Sequence, residues 1–243
     1  MSYILIIGAK SDIAKEVARI YAKNGYNLYL AARECSSLED LKQDIEIRSG
    51  VEVELMEFDI AAFDTHENFY DSLKKRPLGV IVVSGYMAEQ KTAQKEWSET
   101  LQMINVNYTG AISILNIVAN DFEKERRGFI VGVSSVAGDR GRKANYIYGS
   151  AKAGFSAYLS GLRNRLNDSG VQVLTVKPGF VNTKMTEGLD LPQKLTASPG
   201  EVAEDIFNAQ QRGRNVLYTK PIWMVIMLII KHIPEFIFKK MSI

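Results

Sequence analysis

Cysteine is nearly absent: Cys35 is alone in the chain, so no internal disulfide can form and a reducing compartment is favoured. There are two histidines, and no Cys/His cluster has metal-ligand spacing, so no metal site is expected. No charge of either sign is in excess. The 30 Lys and Arg stand against 28 Asp and Glu, and the basic residues are scattered, which argues against nucleic acid as a partner. Proline is sparse and no Pro/Ser tract, low-complexity stretch or internal repeat divides the chain, so its catalytic part reads as one domain. Met1-Ser2 runs into the apolar Tyr3 without the basic start and cleavage site of a signal peptide, which makes a cytoplasmic address the expectation. Nor is there a membrane-spanning run. Crossing a bilayer takes about 20 apolar residues, whereas Ile222 to Ile230 supplies nine.

What the chain does have is apolar bulk in a regular order. With 46% hydrophobic and 24% charged residues it can bury a full core. Tyr3 to Ile7 is a short apolar run, followed by a glycine turn and by Asp12 to Asn24 with helical spacing at Ile13, Val17, Ile20 and Tyr21. The alternation continues through apolar runs at Asn27 to Ala31, Val51 to Phe58, Leu78 to Val83, Phe129 to Val133 and Val171 to Val176, and a last short strand falls at Asn215 to Thr219. Repeated β-α units of this kind give an α/β, doubly wound parallel sheet of about seven strands with helices on both faces.

Two places in that frame carry chemistry. After the first strand, Gly8-Ala9-Lys10-Ser11-Asp12-Ile13 forms a bend at which backbone N-H groups can meet a phosphate at the helix N-terminus, with Ser11 equally fit to be an N-cap. Arg33, at the end of the second strand, suits a ribose 2′-phosphate where a carboxylate would suit the free hydroxyl, so NADPH is favoured over NADH. Lys10 either adds a second charge there or is a solvated cation. Asp59 at the end of the third strand either accepts from an adenine amine or caps the next helix. The second place is Tyr148-Gly-Ser-Ala-Lys152. One helical turn puts the Lys152 ammonium beside the Tyr148 phenol, where it would lower the phenol's pKa and ready it for proton exchange.

Six segments, in order, resemble the short-chain dehydrogenase/reductase family over residues 3 to 220: Gly8 to Ala14, Asp59-Ile60, Val106 to Gly110, Gly128 to Ser135, Tyr148 to Lys152, and Pro178 to Thr183. Asp12 and Ala14 depart from the family's glycines, and Val83-Ser84-Gly85 replaces its Asn-Ala-Gly. Asp12 is then expected to point away from a pyrophosphate or to serve as a cap, bonding across to the fourth-strand loop. The resemblance implies a Rossmann-type domain over 1–220 that reduces a carbonyl with NADPH. In it Tyr148 donates the proton, Ser135 bonds the carbonyl oxygen, Lys152 holds the nicotinamide ribose and Asn107 holds a water in the proton path. Gly8, Lys10, Ser11, Asp12, Ile13, Arg33, Asp59, Ile60, Ser84, Gly85, Tyr148, Lys152, Pro178, Gly179, Val181 and Thr183 are its implied cofactor contacts, Val181 and Thr183 at the carboxamide. It also implies a homodimer or homotetramer.

Residues 221–243 form an apolar tail that reads as a membrane-interface helix, a partner contact or an ordinary buried helix. Together with Asp139-Arg140-Gly141-Arg142, this tail resembles the branch of decaprenylphosphoryl-2-keto-β-D-erythro-pentose reductases. That likeness implies a lipid-linked keto-sugar, peripheral membrane contact, and Arg140 and Arg142 facing a phosphate. The alternatives are reduction of a 3-oxoacyl or other hydrophobic ketone, and a dinucleotide-binding sensor or scaffold without turnover.

Overall fold

Tyr3–Ile7 (β1) is buried at all five positions, as it must be with helices on both faces of the sheet. The computed structural model describes residues 1–188 and 190–241; residue 189 and, in the expected tail, residues 242–243 lie outside the described residues. From β1 the chain continues through α1 (Asp12–Lys23), β2 (Asn27–Ala32), α2 (Glu39–Ser49), β3 (Val53–Glu57), α3 (His66–Asp71) and β4 (Gly79–Val82). Then follow α4 (Gln90–Ala93), α5 (Trp97–Ile104), α6 (Gly110–Glu125), β5 (Phe129–Val133), α7 (Tyr146–Leu166) and β6 (Gln172–Pro178). The last elements are β7 (Phe180–Val181), β8 (Thr196–Ala197), α8 (Pro199–Gln211), β9 (Val216–Thr219), α9 (Ile222–His232) and α10 (Glu235–Phe238).

Seven strands form one parallel sheet in the order β3-β2-β1-β4-β5-β6-β9. The short β7–β8 pair, which has no apolar run to announce it, stands apart. The expected strands are present with ends shifted by a residue or two, the largest change being the loss of Val51, Glu52 and Phe58 from β3.

One core layer packs Val17, Tyr21, Ile45, Val202 and Ile206 from α1, α2 and α8 under the sheet, and the other packs Ile114, Val118, Phe155 and Leu159 from α6 and α7 over it. Local signals agree with this packing. Ser11 caps α1 by accepting from Ala14 N at 3.1 Å, and Ser198 and Glu201 form a capping box at α8 with Pro199 in its first turn.

The order reverses between β1 and β4, since the chain winds out to β3 on one side and returns to β4 on the other. A crevice therefore opens at the carboxyl ends of these two strands. Gly8 lies at its floor with φ +84°, and a Cβ there would stand 2.7 Å from Ser84 N, so only glycine lets the two strand ends approach this closely.

Candidate active site

The crevice is a cleft of about 770 Å³ running from Arg33, past Gly8 and Ser84, to Ser135, Tyr148 and Trp223. Every cofactor contact expected from the sequence lies on its wall: Gly8, Lys10, Ser11, Asp12, Ile13, Arg33, Asp59, Ile60, Ser84, Gly85, Tyr148, Lys152, Pro178, Gly179, Val181 and Thr183.

At the far edge Arg33 is exposed, and its loop is held by Glu57, whose carboxylate accepts from Cys35 N at 2.9 Å and Glu34 N at 2.7 Å. Those two amides keep the Glu57 carboxyl below its ordinary range. Lys10 is paired with Glu34 at 2.9 Å, so its charge is shared. Asp59 accepts from Ala61 N at 2.9 Å in a local turn, which leaves it on the cleft wall without capping α3. Asp12 does turn aside, but to a different neighbour from the one expected. Its carboxylate accepts from Lys184 N at 3.0 Å, in the loop after β7, and not from the fourth-strand loop.

At the other end three side chains converge. Ser135 follows β5, accepts from Ala137 N at 3.1 Å and stands on the same cleft wall as the Tyr148 phenol of α7, close enough to favour its ionised form. Lys152, one turn along the same helix, is 3% exposed. Its Nζ donates to Val133 O at 3.1 Å and Ser84 O at 3.5 Å, and lies 5.8 Å from the Tyr148 ring centroid.

This corrects the electrostatics expected from spacing. Burial outweighs the opposing influence of Ser135 and pushes the phenol up to about 12, while burial brings the Lys152 amine down to about 8. The resting site thus holds a protonated phenol beside an amine that titrates close to neutrality.

Asn107 is the one expected catalytic residue off the cleft wall. It is 1% exposed, within the single π-turn Asn105–Thr109 between α5 and α6. Its Nδ2 donates to Tyr86 O at 2.6 Å and Met103 O at 2.8 Å, and its Oδ1 accepts from Tyr86 N at 3.3 Å.

The short chain dehydrogenase family model matches residues 2–194. An uncharacterized oxidoreductase of Mycobacterium tuberculosis is 32% identical over 241 residues, covering 98% of this chain and 96% of its own length. The chain belongs to the short-chain dehydrogenase/reductase family. An uncharacterized oxidoreductase of Streptomyces coelicolor is 28% identical, over 99% of this chain and 96% of its own. Among solved structures, a short-chain dehydrogenase from Sphingobium yanoikuyae in complex with NADPH matches with a TM-score of 0.83 at 23% identity, over 97% of each chain. ElxO with NADP bound matches with a TM-score of 0.82 at 19% identity, over 93% of this chain and all of the other.

Within the family frame, the most consequential wall residue that spacing did not reveal is Trp223. It opens the apolar tail, and instead of anchoring an interface it is 4% exposed, packs edge-on against Phe180 and donates Nε1–H to Leu195 O at 3.0 Å. A Cβ on Gly179 would meet its ring at 2.0 Å, so the glycine makes room for the indole. The spacing within a motif cannot reveal such a contact, which joins residues forty-odd positions apart.

Arg140 corrects a second expectation. It faces no substrate phosphate; its guanidinium donates to Ile230 O and Ile233 O at 2.6 Å each, pairs with Glu235 at 2.9 Å and stacks 3.7 Å from the Phe238 ring centroid. Four oxygens near the end of α9, the carbonyls of Ile230, Lys231 and Ile233 and the Glu235 carboxylate, hold the guanidinium there. Arg142, by contrast, does line the cleft.

Proposed function

We propose that this oxidoreductase is an NADPH-dependent carbonyl reductase acting on a hydrophobic, lipid-linked ketone at a membrane surface. The observation that carries the reading is the convergence of Ser135, Tyr148 and Lys152 on one end of a cleft whose other end is the Arg33 loop. The cleft fits a dinucleotide: bare backbone at Gly8 opens the way to the N-terminus of α1, and an exposed arginine stands where a 2′-phosphate would need one. The NADPH and NADP complexes of structural neighbours support the same cofactor.

A bound NADPH would supply the hydride that reduces the carbonyl carbon; the residues of the chain manage the oxygen. Ser135 donates a hydrogen bond to the carbonyl oxygen, where negative charge grows as the π electrons move onto it. Tyr148 then transfers its phenolic proton to that oxygen, which completes the alcohol. A phenol kept protonated to about 12 is suited to this donor role, and a protonated Lys152 nearby stabilises the tyrosinate left behind. Asn107 acts as a positioning residue. It holds the Tyr86 backbone, and through it the Ser84–Gly85 turn that Lys152 touches. Its Oδ1 and Lys152 Nζ both border Gly85, 3.5 and 3.9 Å from where a Cβ would stand, so the two side chains flank the same stretch of backbone.

Apolar walls at Met87, Val136, Phe180, Met185 and Trp223 favour an oily substrate over a small polar one. The outward apolar face of α9 and α10 supports a membrane as its source, and the exposed Trp97 and Leu101 on α5 support self-association.

The test is NADPH oxidation with a panel of ketones, 3-oxoacyl thioesters and a membrane extract. Turnover is expected with the lipid fraction, and Tyr148→Phe is expected to bind NADPH normally while losing between about a hundredfold and ten-thousandfold in rate. Tight NADPH binding with no oxidation in any arm would identify a sensor, and thioester turnover alone would replace the lipid-linked ketone with an acyl chain.

A further inference from the structure

The segment Asp139-Arg140-Gly141-Arg142 sends its three charged side chains to three destinations. Asp139, whose side chain is 2% exposed, is bound by Lys177 from β6 and by the Tyr218 hydroxyl of β9 at 2.7 Å. Arg140 is spent on the end of α9, as described above. Arg142 is half-buried in the cleft wall, and its Nε, shut off from solvent, has no hydrogen-bond partner among the described residues.

Burial pulls the Arg142 guanidinium below its ordinary pKa, and the one opposing influence is the neighbouring Asp139, already committed to Lys177 and Tyr218. Guanidinium nonetheless stays charged in proteins. A half-buried cation without a counter-ion is costly, and a bidentate oxyanion is the partner its planar fork fits best. Asn145, on the same wall, has a buried Oδ1 that is also unpartnered, which adds a hydrogen-bonding group beside the charge.

The phosphates of a dinucleotide do not meet this need. Arg33 follows β2 and Arg142 follows β5, and in the order β2-β1-β4-β5 these are three strand spacings apart, roughly 14 Å at about 4.8 Å each. The turn for the pyrophosphate follows β1, two strands away. Arg142 instead stands between Ser135 and Tyr148 in sequence, on the wall shared with the apolar Val136 and Trp223.

We propose that Arg142 is a specificity-determining residue that binds an anionic oxygen group, phosphate or carboxylate, on an otherwise apolar ligand of this cleft. The proposal rests on the reductase reading only in taking that ligand to be the ketone substrate; the anion subsite itself stands on the Arg142 geometry.

Calorimetric titration of the NADPH-loaded protein with hexyl phosphate, hexanoate and hexanol separates these claims. Hexyl phosphate or hexanoate is expected to bind at least tenfold tighter than hexanol, and whichever binds more tightly identifies the anion. Arg142→Gln is expected to erase that advantage while leaving NADPH fluorescence titration unchanged, and Arg142→Lys to restore part of it. Equal affinity of the wild-type protein for all three probes, or an undiminished anion preference in Arg142→Gln, would overturn the subsite. Because the wild-type contrast needs no variant and no turnover, anion binding without any ketone reduction would sink the reductase reading and leave the subsite standing. Equal reduction of charged and neutral ketones, equally affected by Arg142→Gln, would do the reverse.

Discussion

Burial acts on Tyr148 and Lys152 in opposite senses, and the difference sets a conflict between stability and activity. For the phenol, a dry site favours the protonated form that donates. For the amine, the same site disfavours the ammonium that the departing proton calls for. Lys152 goes from an ordinary value near 10.5 to about 8 in the folded protein. Between those two pH values the unfolded chain binds the extra proton, so the stability of the cofactor-free protein rises with pH across this window. Below pH 8 the lysine is protonated in both states and the full cost of burying it is present, about 3 kcal/mol from the interval between the two values. Lys152→Met is therefore expected to stabilise the cofactor-free protein against urea at pH 7, to lose that advantage by pH 10.5, and to abolish turnover. A pH-independent difference between the two proteins would remove Lys152 from this account. At this scale the residues that gather along the cleft were legible because each sits at a strand end or one helical turn from its partner. Trp223 and the liberty of Arg142 were not, because both depend on which neighbours fold back to meet them.

Elements were legible where apolar runs are long, as in the seven sheet strands, and not where hydrogen bonding is dictated from outside. The β7–β8 pair is two residues on each side, and the π-turn at Asn105–Thr109 looks in sequence like an uninterrupted helix. The tail helix α9 belongs to both kinds. Its run of apolar residues announces it, but only Trp223 and Met227 are buried, with Ile226 and Ile230 packed partly beneath them. Pro234 ends it, and what ties it down is Arg140, from the loop between Ser135 and Tyr148, bonded to Ile230 O, Lys231 O and Ile233 O. Hydrogen bonds to a charged donor are worth about 1.5–3 kcal/mol when lost. Arg140→Ala is thus expected to raise amide hydrogen exchange of residues 224–238 by tenfold or more while the exchange of β1, β4 and β5 stays unchanged. Exchange in the tail as slow as wild type would show that its apolar contacts alone suffice.

The molecule as a whole places its least protected apolar surface directly behind its cleft. Met224, Val225, Leu228, Ile229, Phe236 and Ile237 are 45–66% exposed, on the opposite side of α9 and α10 from Trp223. Lys231, Lys239 and Lys240 are exposed beside them. Among the described residues no helix is long and apolar enough to cross a bilayer, so contact would be along the helix, with the lysines at the headgroups. Since Trp223 is on the inner face of the same helix, a bilayer against the outer face would stand about one helix diameter, roughly 10 Å, from the cleft wall. An oily ketone could pass that distance without leaving an apolar surface. Sedimentation with phosphatidylglycerol vesicles is expected to capture the wild-type protein at low salt, and Val225→Glu combined with Ile229→Glu to reduce capture at least tenfold. Both positions face away from the core, so NADPH binding by the double variant should be unchanged. If the variant still sediments like the wild type, the apolar face is not what meets the membrane; if neither protein sediments, that face is left for a second protein chain to cover.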